Sequence, residues 1–279
     1  MKLLVARTGD GLVASSGDEH RRLADQADLD SLLTTEHPFR LLAEWFDTGT
    51  PCGRPLDLLA PIQSQEVWGA GVTYSRSRAA RMDESRDIGA EQFYSMVYEA
   101  ERPELFFKAT PNRVAGHHGA VRIREDSVWN VPEPELTLVV TSKGEIIGHT
   151  IGNDMSSRSI EGENPLYLPQ AKVYAGCAAL GPWLVVTESG PDDGVRIAMT
   201  IARSGSTVFE GATRLDQMRR TFRELTDYLF RDNEFPAGVF LMTGTGIVPD
   251  DDFTLAPGDE VAITIDGVGT LVNHVQRGV

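Results

Sequence analysis

Cysteine is scarce: Cys52 and Cys177 are the only two in 279 residues. Without C-x-x-C spacing they give neither a disulfide framework nor a zinc ribbon, and they fit reduced thiols. Positive charge is also short, since 26 lysines and arginines against 41 aspartates and glutamates leave a formal net charge of −15. Nucleic acid and anionic membranes are therefore not expected partners, because both need basic patches. No apolar run approaches the roughly 18 residues of a membrane span. The start, MKLLVARTGDG, lacks the apolar core and cleavage site of a signal peptide, so the cytoplasm is the expected location. Internal repeats and low-complexity segments are missing too. What remains is an ordinary globular composition, 41% hydrophobic and 24% charged, long enough for one large domain with a small extension.

Residues 1–62 read as a small leading α/β unit. A hairpin is expected around Gly9-Asp10-Gly11, then a helical piece over 28–46 broken before Pro38, with Pro51, Pro55 and Pro61 marking the exit. The rest, 63–279, opens with a buried strand over 66–74. Residues 75–102 are charged and helical in propensity, a segment able to cover a site. Further on, VRIAMTIARSGSTVFEG suggests a hairpin turning at Gly205. Thr213 with Asp216 resembles a capping box, and Leu215, Met218, Phe222, Leu225 and Leu229 recur at helical spacing, so a helix is expected from Thr213. The strands GVFLMTGTG and DEVAITIDGVGTLVNHV follow. Hairpins outnumber βαβ units, which predicts a strand-dominated α+β fold.

The most informative stretch is 131–182. ELTLVV reads as a strand, Ser142-Lys143-Gly144 as a tight turn, and EIIGHTIGND as the returning strand. Strand alternation puts Glu133 and Glu135 on one face and Pro134 on the other, and Asp154 arrives at the end of the second strand. Two carboxylates about 4 Å apart repel by roughly 4 kcal/mol at an effective dielectric near 20. Water or a hard divalent cation must offset that, and an all-oxygen donor set suits magnesium or manganese rather than zinc. Taken alone, E-x-E is also what a wet strand face looks like. Lys172, in the nearly uncharged LPQAKVYAGCAAL, reads either as a snorkelling side chain or as a cation aimed at an anion. Thr245 reads as a turn hydroxyl, and Arg158 as a partner for Glu161 or Glu163. Adjacent histidines on extended chain point to opposite faces, so His117 and His118 receive no metal role. Asp250-Asp251-Asp252 reads as a solvated turn.

The ordered set Glu133-Pro134-Glu135, then Asn153-Asp154-Met155-Ser156-Ser157-Arg158, then Lys172 ahead of Leu180-Gly181-Pro182 resembles the fumarylacetoacetate hydrolase family. Its signature is E-x-E, N-D-x-S-x-R and a lysine before L-G-P. Phe106-Phe107-Lys108, Thr243-Gly244-Thr245, Pro257-Gly258-Asp259 and the stretch from Gly267 to Asn273 extend the likeness over roughly residues 65 to 275. The resemblance implies a mixed β-sandwich roll with Mg²⁺ at its mouth, Mn²⁺ or Ca²⁺ as substitutes, and assembly as a homodimer or a dimer of dimers. It implies Glu133, Glu135 and Asp154 as metal ligands, Lys172 as oxyanion stabiliser or base, and Ser77, Lys108, Arg158 and Thr245 as substrate contacts. Hydrolase and decarboxylase members carry Y-x-x-H-x-x-E, whose His-Glu pair activates water. Here Tyr74 is followed by Ser77 and Ala80 in those places. GVTYSRSR and PELFFK, with Glu104, resemble the family's sugar-acid dehydratases instead. The implied activity is loss of water from a 2-keto-3-deoxy sugar acid, with Glu104 as acid or base at the leaving hydroxyl. C–C cleavage of an acylpyruvate or diketo acid is the alternative enzyme, and a silent sugar-acid binder the alternative from another class.

Overall fold

The computed structural model describes residues 2–78 and 91–279, with backbone alone for 91–94. Its strands are β1 (Lys2–Thr8), β2 (Gly11–Ser16), β3 (Glu19–Arg22), β4 (Thr50–Pro51), β5 (Glu66–Gly71), β6 (Glu104–Ala109), β7 (Val114–Ala115) and β8 (Ala120–Ile123). Then come β9 (Asn130–Val140), β10 (Ile146–Ser157), β11 (Ala178–Thr187), β12 (Arg196–Arg203), β13 (Ser206–Arg214), β14 (Val239–Met242), β15 (Glu260–Ile265) and β16 (Gly269–Arg277). The described helices are α1 (Leu29–Thr34), α2 (Pro38–Thr48), α3 (Glu91–Glu99), α4 (Arg158–Glu163), α5 (Leu168–Lys172) and α6 (Phe222–Leu229). The larger sheet runs β4-β3-β2-β1-β11-β10-β9-β14-β5-β6, with β7 beside β11; the smaller runs β13-β12-β15-β16-β8. This is the expected α+β, sheet-dominated architecture.

Alternation along β9 explains the layering. Leu136, Leu138 and Val140 face the smaller sheet, where they share a core with Ile197, Met199, Ile201, Val261 and Ile263. Val139 points the other way and packs with Phe240 and Met242 of β14 and with Leu29, Leu32, Leu33 and Leu42 from α1 and α2. Every residue of β9 is buried, so its carboxylates cannot be the wet face of an open strand. Pro132 and Pro134 sit beyond the last β14 pairing, Met242 with Thr137, so their missing N–H groups need no ladder partner on that side.

The leading residues join the same sheet: β1 pairs antiparallel with β11, from Lys2 opposite Thr187 to Val5 opposite Leu184. The break before Pro38 holds, with Pro38 in the first turn of α2, and Asp28 caps α1 by accepting from Ser31 N at 2.6 Å. The helix expected from Thr213 starts later. Thr213 belongs to β13, opposite Ile197, and α6 begins at Phe222 with the Thr221 hydroxyl accepting from Glu224 N. T-x-x-[DE] occurs at both places, and at the first the pairing with β12 wins. Among the described residues no helix is long and apolar enough to cross a membrane. Of the segment expected as a cover, 79–90 lies outside the described residues, and Ala80 with it.

Candidate active site

The hairpin of β9 and β10 assembles the acidic cluster by register alone. Asp154 stands opposite Glu133 and Gly152 opposite Glu135, and cross-strand partners share a face. Carboxylate oxygens of the three acids lie within 4.8 Å of one another, the only such group of potential metal ligands among the described residues. Exposure is 4% for Glu133, 2% for Glu135 and 0% for Asp154. Burial and the two neighbouring negative charges push the Glu135 carboxyl well above the usual carboxylate range, while Lys172 and the Gly244 N–H pull against them.

Three cations answer the three acids. Lys172, at the end of α5, donates from Nζ to Asp154 Oδ2 at 3.0 Å, to Ser156 Oγ at 2.6 Å and to Glu133 Oε2. Its ammonium also stands 5.4 Å from the centroid of the Phe106 ring. Arg158 donates from Nη2 to the other oxygen of Glu133. Lys108, wholly buried, donates to Met155 O at 2.8 Å and to Lys172 O at 2.5 Å, with Asp154 Oδ1 2.6 Å away. Glu135 Oε2 accepts from Gly244 N at 2.6 Å.

A narrow cleft opens on this cluster, lined by the three acids and Lys172 and also by Gly71, Ser77, Phe106, Gly244 and Thr245. Of the residues picked out from sequence, Ser77, Glu133, Glu135, Asp154, Lys172 and Thr245 therefore meet at one place. Ser77 Oγ donates to Tyr74 O at 2.9 Å. Thr245 Oγ1 donates to Ile247 O and accepts from Ile247 N, both at 3.1 Å, closing a turn. Glu104 opens β6 opposite Gly71. Lys108 and Arg158 do not line the cleft; their charges lie against Asp154 and Glu133. Sequence reasoning gave no role to Ser156, the serine of N-D-x-S-x-R, to Phe106, or to Gly244, whose N–H holds Glu135. The rings of His117 and His118 do not point apart as expected: their centroids are 3.9 Å apart, because His118 adopts a left-handed φ of 62°. Asp250 meets Arg76 at 3.4 Å on the exposed surface.

The donor set fits a hard divalent cation. All three ligands are carboxylates, buried together with an oxygen from each converging within 4.8 Å.

Comparison with known proteins agrees with this geometry. The model of the fumarylacetoacetate (FAA) hydrolase C-terminal family matches residues 66–276. A probable 2-keto-3-deoxyxylonate dehydratase from Haloferax volcanii is 49% identical over 216 residues, 77% of this chain and 73% of that one. A 2-dehydro-3-deoxy-D-arabinonate dehydratase from Saccharolobus solfataricus is 47% identical over 219 residues, 78% and 74% of the two chains. A solved structure of 2-keto-3-deoxy-D-arabinonate dehydratase complexed with magnesium and 2,5-dioxopentanoate superimposes with a TM-score of 0.84 at 37% identity, over 100% of this chain and 99% of that one.

Proposed function

The chain belongs to the fumarylacetoacetate hydrolase family, and from that premise we propose that it is a magnesium-dependent dehydratase converting 2-keto-3-deoxy-D-arabinonate, also called the xylonate, to 2,5-dioxopentanoate and water. The observation that carries this reading is the buried Glu133-Glu135-Asp154 cluster sharing one cleft with Lys172. Its support is the likeness to dehydratases at 47% to 49% identity and to a structure holding magnesium and the same product.

Glu133, Glu135 and Asp154 would hold magnesium, which when bound polarises the substrate's 2-keto oxygen and acidifies the adjoining C3–H, an effect worth several kcal/mol. Lys172 we read as the group that takes the C3 proton or steadies the negative charge left on the keto oxygen, and Glu104 as the acid or base at the C4 hydroxyl. Loss of the C3 proton and the C4 hydroxyl as water leaves a C3=C4 double bond. Its isomerisation, with protons leaving C5 and its hydroxyl and arriving at C3 and C4, gives the 5-aldehyde. Ser77 and Thr245, on the cleft wall, are the substrate contacts in this reading. Lys108 and Arg158, engaged by Asp154 and Glu133, hold the ligand set in shape and leave substrate to the others. Pentose degradation in the cytoplasm and assembly as a homodimer or a dimer of dimers rest on the family likeness. The boundary near residue 62 is supported by the family match, which begins at residue 66.

The test is incubation of the purified protein with 2-keto-3-deoxy-D-arabinonate and Mg²⁺, following 2,5-dioxopentanoate. Turnover should vanish with chelator and return with Mg²⁺ or Mn²⁺. Absence of the semialdehyde product under every divalent metal tried would sink the assignment.

A further inference from the structure

Strand β5 ends in Gly69-Ala70-Gly71, and the register with β6 sets Gly69 opposite Phe106 and Gly71 opposite Glu104. Opposed residues of an antiparallel pair project to the same face, where side chains stand roughly upright. Here they do not stand upright. A Cβ on Gly71 would lie 2.1 Å from Glu104 Oε2 and 2.5 Å from its carboxyl carbon, and a Cβ on Gly69 would lie 2.5 Å from Phe106 Cζ. Both β6 side chains therefore lean across β5 and fill the space that two missing side chains leave. The lean runs toward the site: Gly71 and Phe106 both line the cleft, and Lys172 Nζ stands 5.4 Å from the Phe106 ring centroid.

The sheet order explains why such a trough is needed. Between β6 and the acids of β9 lie β5 and β14, so at about 4.8 Å per strand the two outer strands are some 14 Å apart. An upright glutamate on β6 would end far from chemistry centred on β9. The floor between them is bare: Gly71 contributes no side chain, and Gly244, just past β14, gives its N–H to Glu135. Gly71 has no left-handed φ, so backbone conformation does not call for glycine there. Space does.

We propose that Gly71 is a positioning residue for Glu104, its missing side chain letting the carboxylate lie across β5 toward the cleft that Gly71 lines and that holds the metal ligands. The inference rests on the reading of Glu104 as the acid or base of the dehydration. Any side chain at 71 lifts that carboxylate away from the substrate and leaves the metal ligands on β9 and β10 untouched.

The experiment is a double-mutant cycle of Gly71→Ala and Glu104→Gln, read by kcat and by magnesium binding in calorimetry, with Gly53→Ala as control because nothing lies within 4 Å of an added Cβ there. Gly71→Ala is expected to lower kcat at least about tenfold with magnesium affinity unchanged, and to add no further loss once Glu104 is already Gln. Gly71→Ala with kcat within about twofold of wild type, or an equal further loss in the Glu104→Gln background, overturns the proposal. A silent Glu104→Gln overturns the reading of Glu104 and this inference with it, whereas a damaging Glu104→Gln beside a silent Gly71→Ala overturns the inference alone. Should Gly71→Ala fail to fold, adding Glu104→Ala must restore the melting temperature, since the three atoms nearest the added carbon all belong to the Glu104 carboxylate; no restoration overturns it equally.

Discussion

Replacing Lys108 with methionine separates a structural cation from a substrate contact. The side chain is wholly buried, and its ammonium serves Asp154 Oδ1, Met155 O and Lys172 O at 2.6, 2.8 and 2.5 Å. Methionine keeps the length and apolar body and removes only the charge and donors. Breaking a buried ion pair by removing one partner costs about 3–5 kcal/mol, and each buried carbonyl left without a donor adds about 1–3. One ammonium makes all three contacts, so these figures overlap and the expected loss is about 4 kcal/mol, not their sum. The measurement is guanidinium unfolding with chelator present, so that no metal adds to stability. Exposed Lys143→Met is the control, expected within about 0.5 kcal/mol of wild type. In thermal unfolding the same loss lowers the melting temperature by roughly 10 °C. A loss under about 1 kcal/mol together with a raised KM would refute the reasoning, because it would mean that the ammonium is free to meet substrate.

Glu135→Gln relieves repulsion among three buried acids while keeping an acceptor for Gly244 N, so in chelator the variant should be at least as stable as wild type while Mg²⁺ no longer raises its melting temperature. Asp154→Asn should abolish turnover and magnesium binding in calorimetry; survival of both would place the site elsewhere. His149 is held neutral by burial first and by nearby Lys2 second, its pKa lowered from 6.5 to about 4. The unfolded chain therefore binds the extra proton between those values, and this contribution to stability is full above pH 6.5 and lost as pH falls toward 4. It amounts to roughly 3 kcal/mol, so the unfolding free energies of wild type and His149→Leu should diverge over that window by this amount, and parallel curves would dismiss the effect.

The metal ligands were legible because strand periodicity and register are local properties. ELTLVV and EIIGHTIGND with a short turn fix which residues oppose one another, and that alone brings Asp154 to Glu133. Burial was not legible. Whether E-x-E faces water depends on what covers the sheet, and the cover is made by the distant α1 and α2 on one side and by β12 and β15 on the other. The same holds for Lys108 and Arg158, whose motif positions say that they are near the site but not which side of the carboxylates they occupy. The start of α6 was missed because Thr213 and Thr221 both offer a capping pattern, and only pairing with β12 tells them apart.

Placing the acids on a strand buried on both faces has an electrostatic consequence. Glu133 and Asp154 are paired with Lys108, Arg158 and Lys172, which offset much of the repulsion among the three acids. The cations do not hold the acids symmetrically. Arg158 and Lys172 divide the oxygens of Glu133, and Lys108 and Lys172 those of Asp154, whereas among the described residues Glu135 has only a backbone N–H and keeps the raised proton affinity that burial imposes. That corner is where added positive charge gains most, since it relieves both desolvation and repulsion. A divalent ion held by the three acids would leave the cluster with an excess of positive charge, and an anionic 2-keto acid is the kind of ligand that such an excess would attract. Because the ligands sit on paired strands, little of that attraction is lost to rearranging the site.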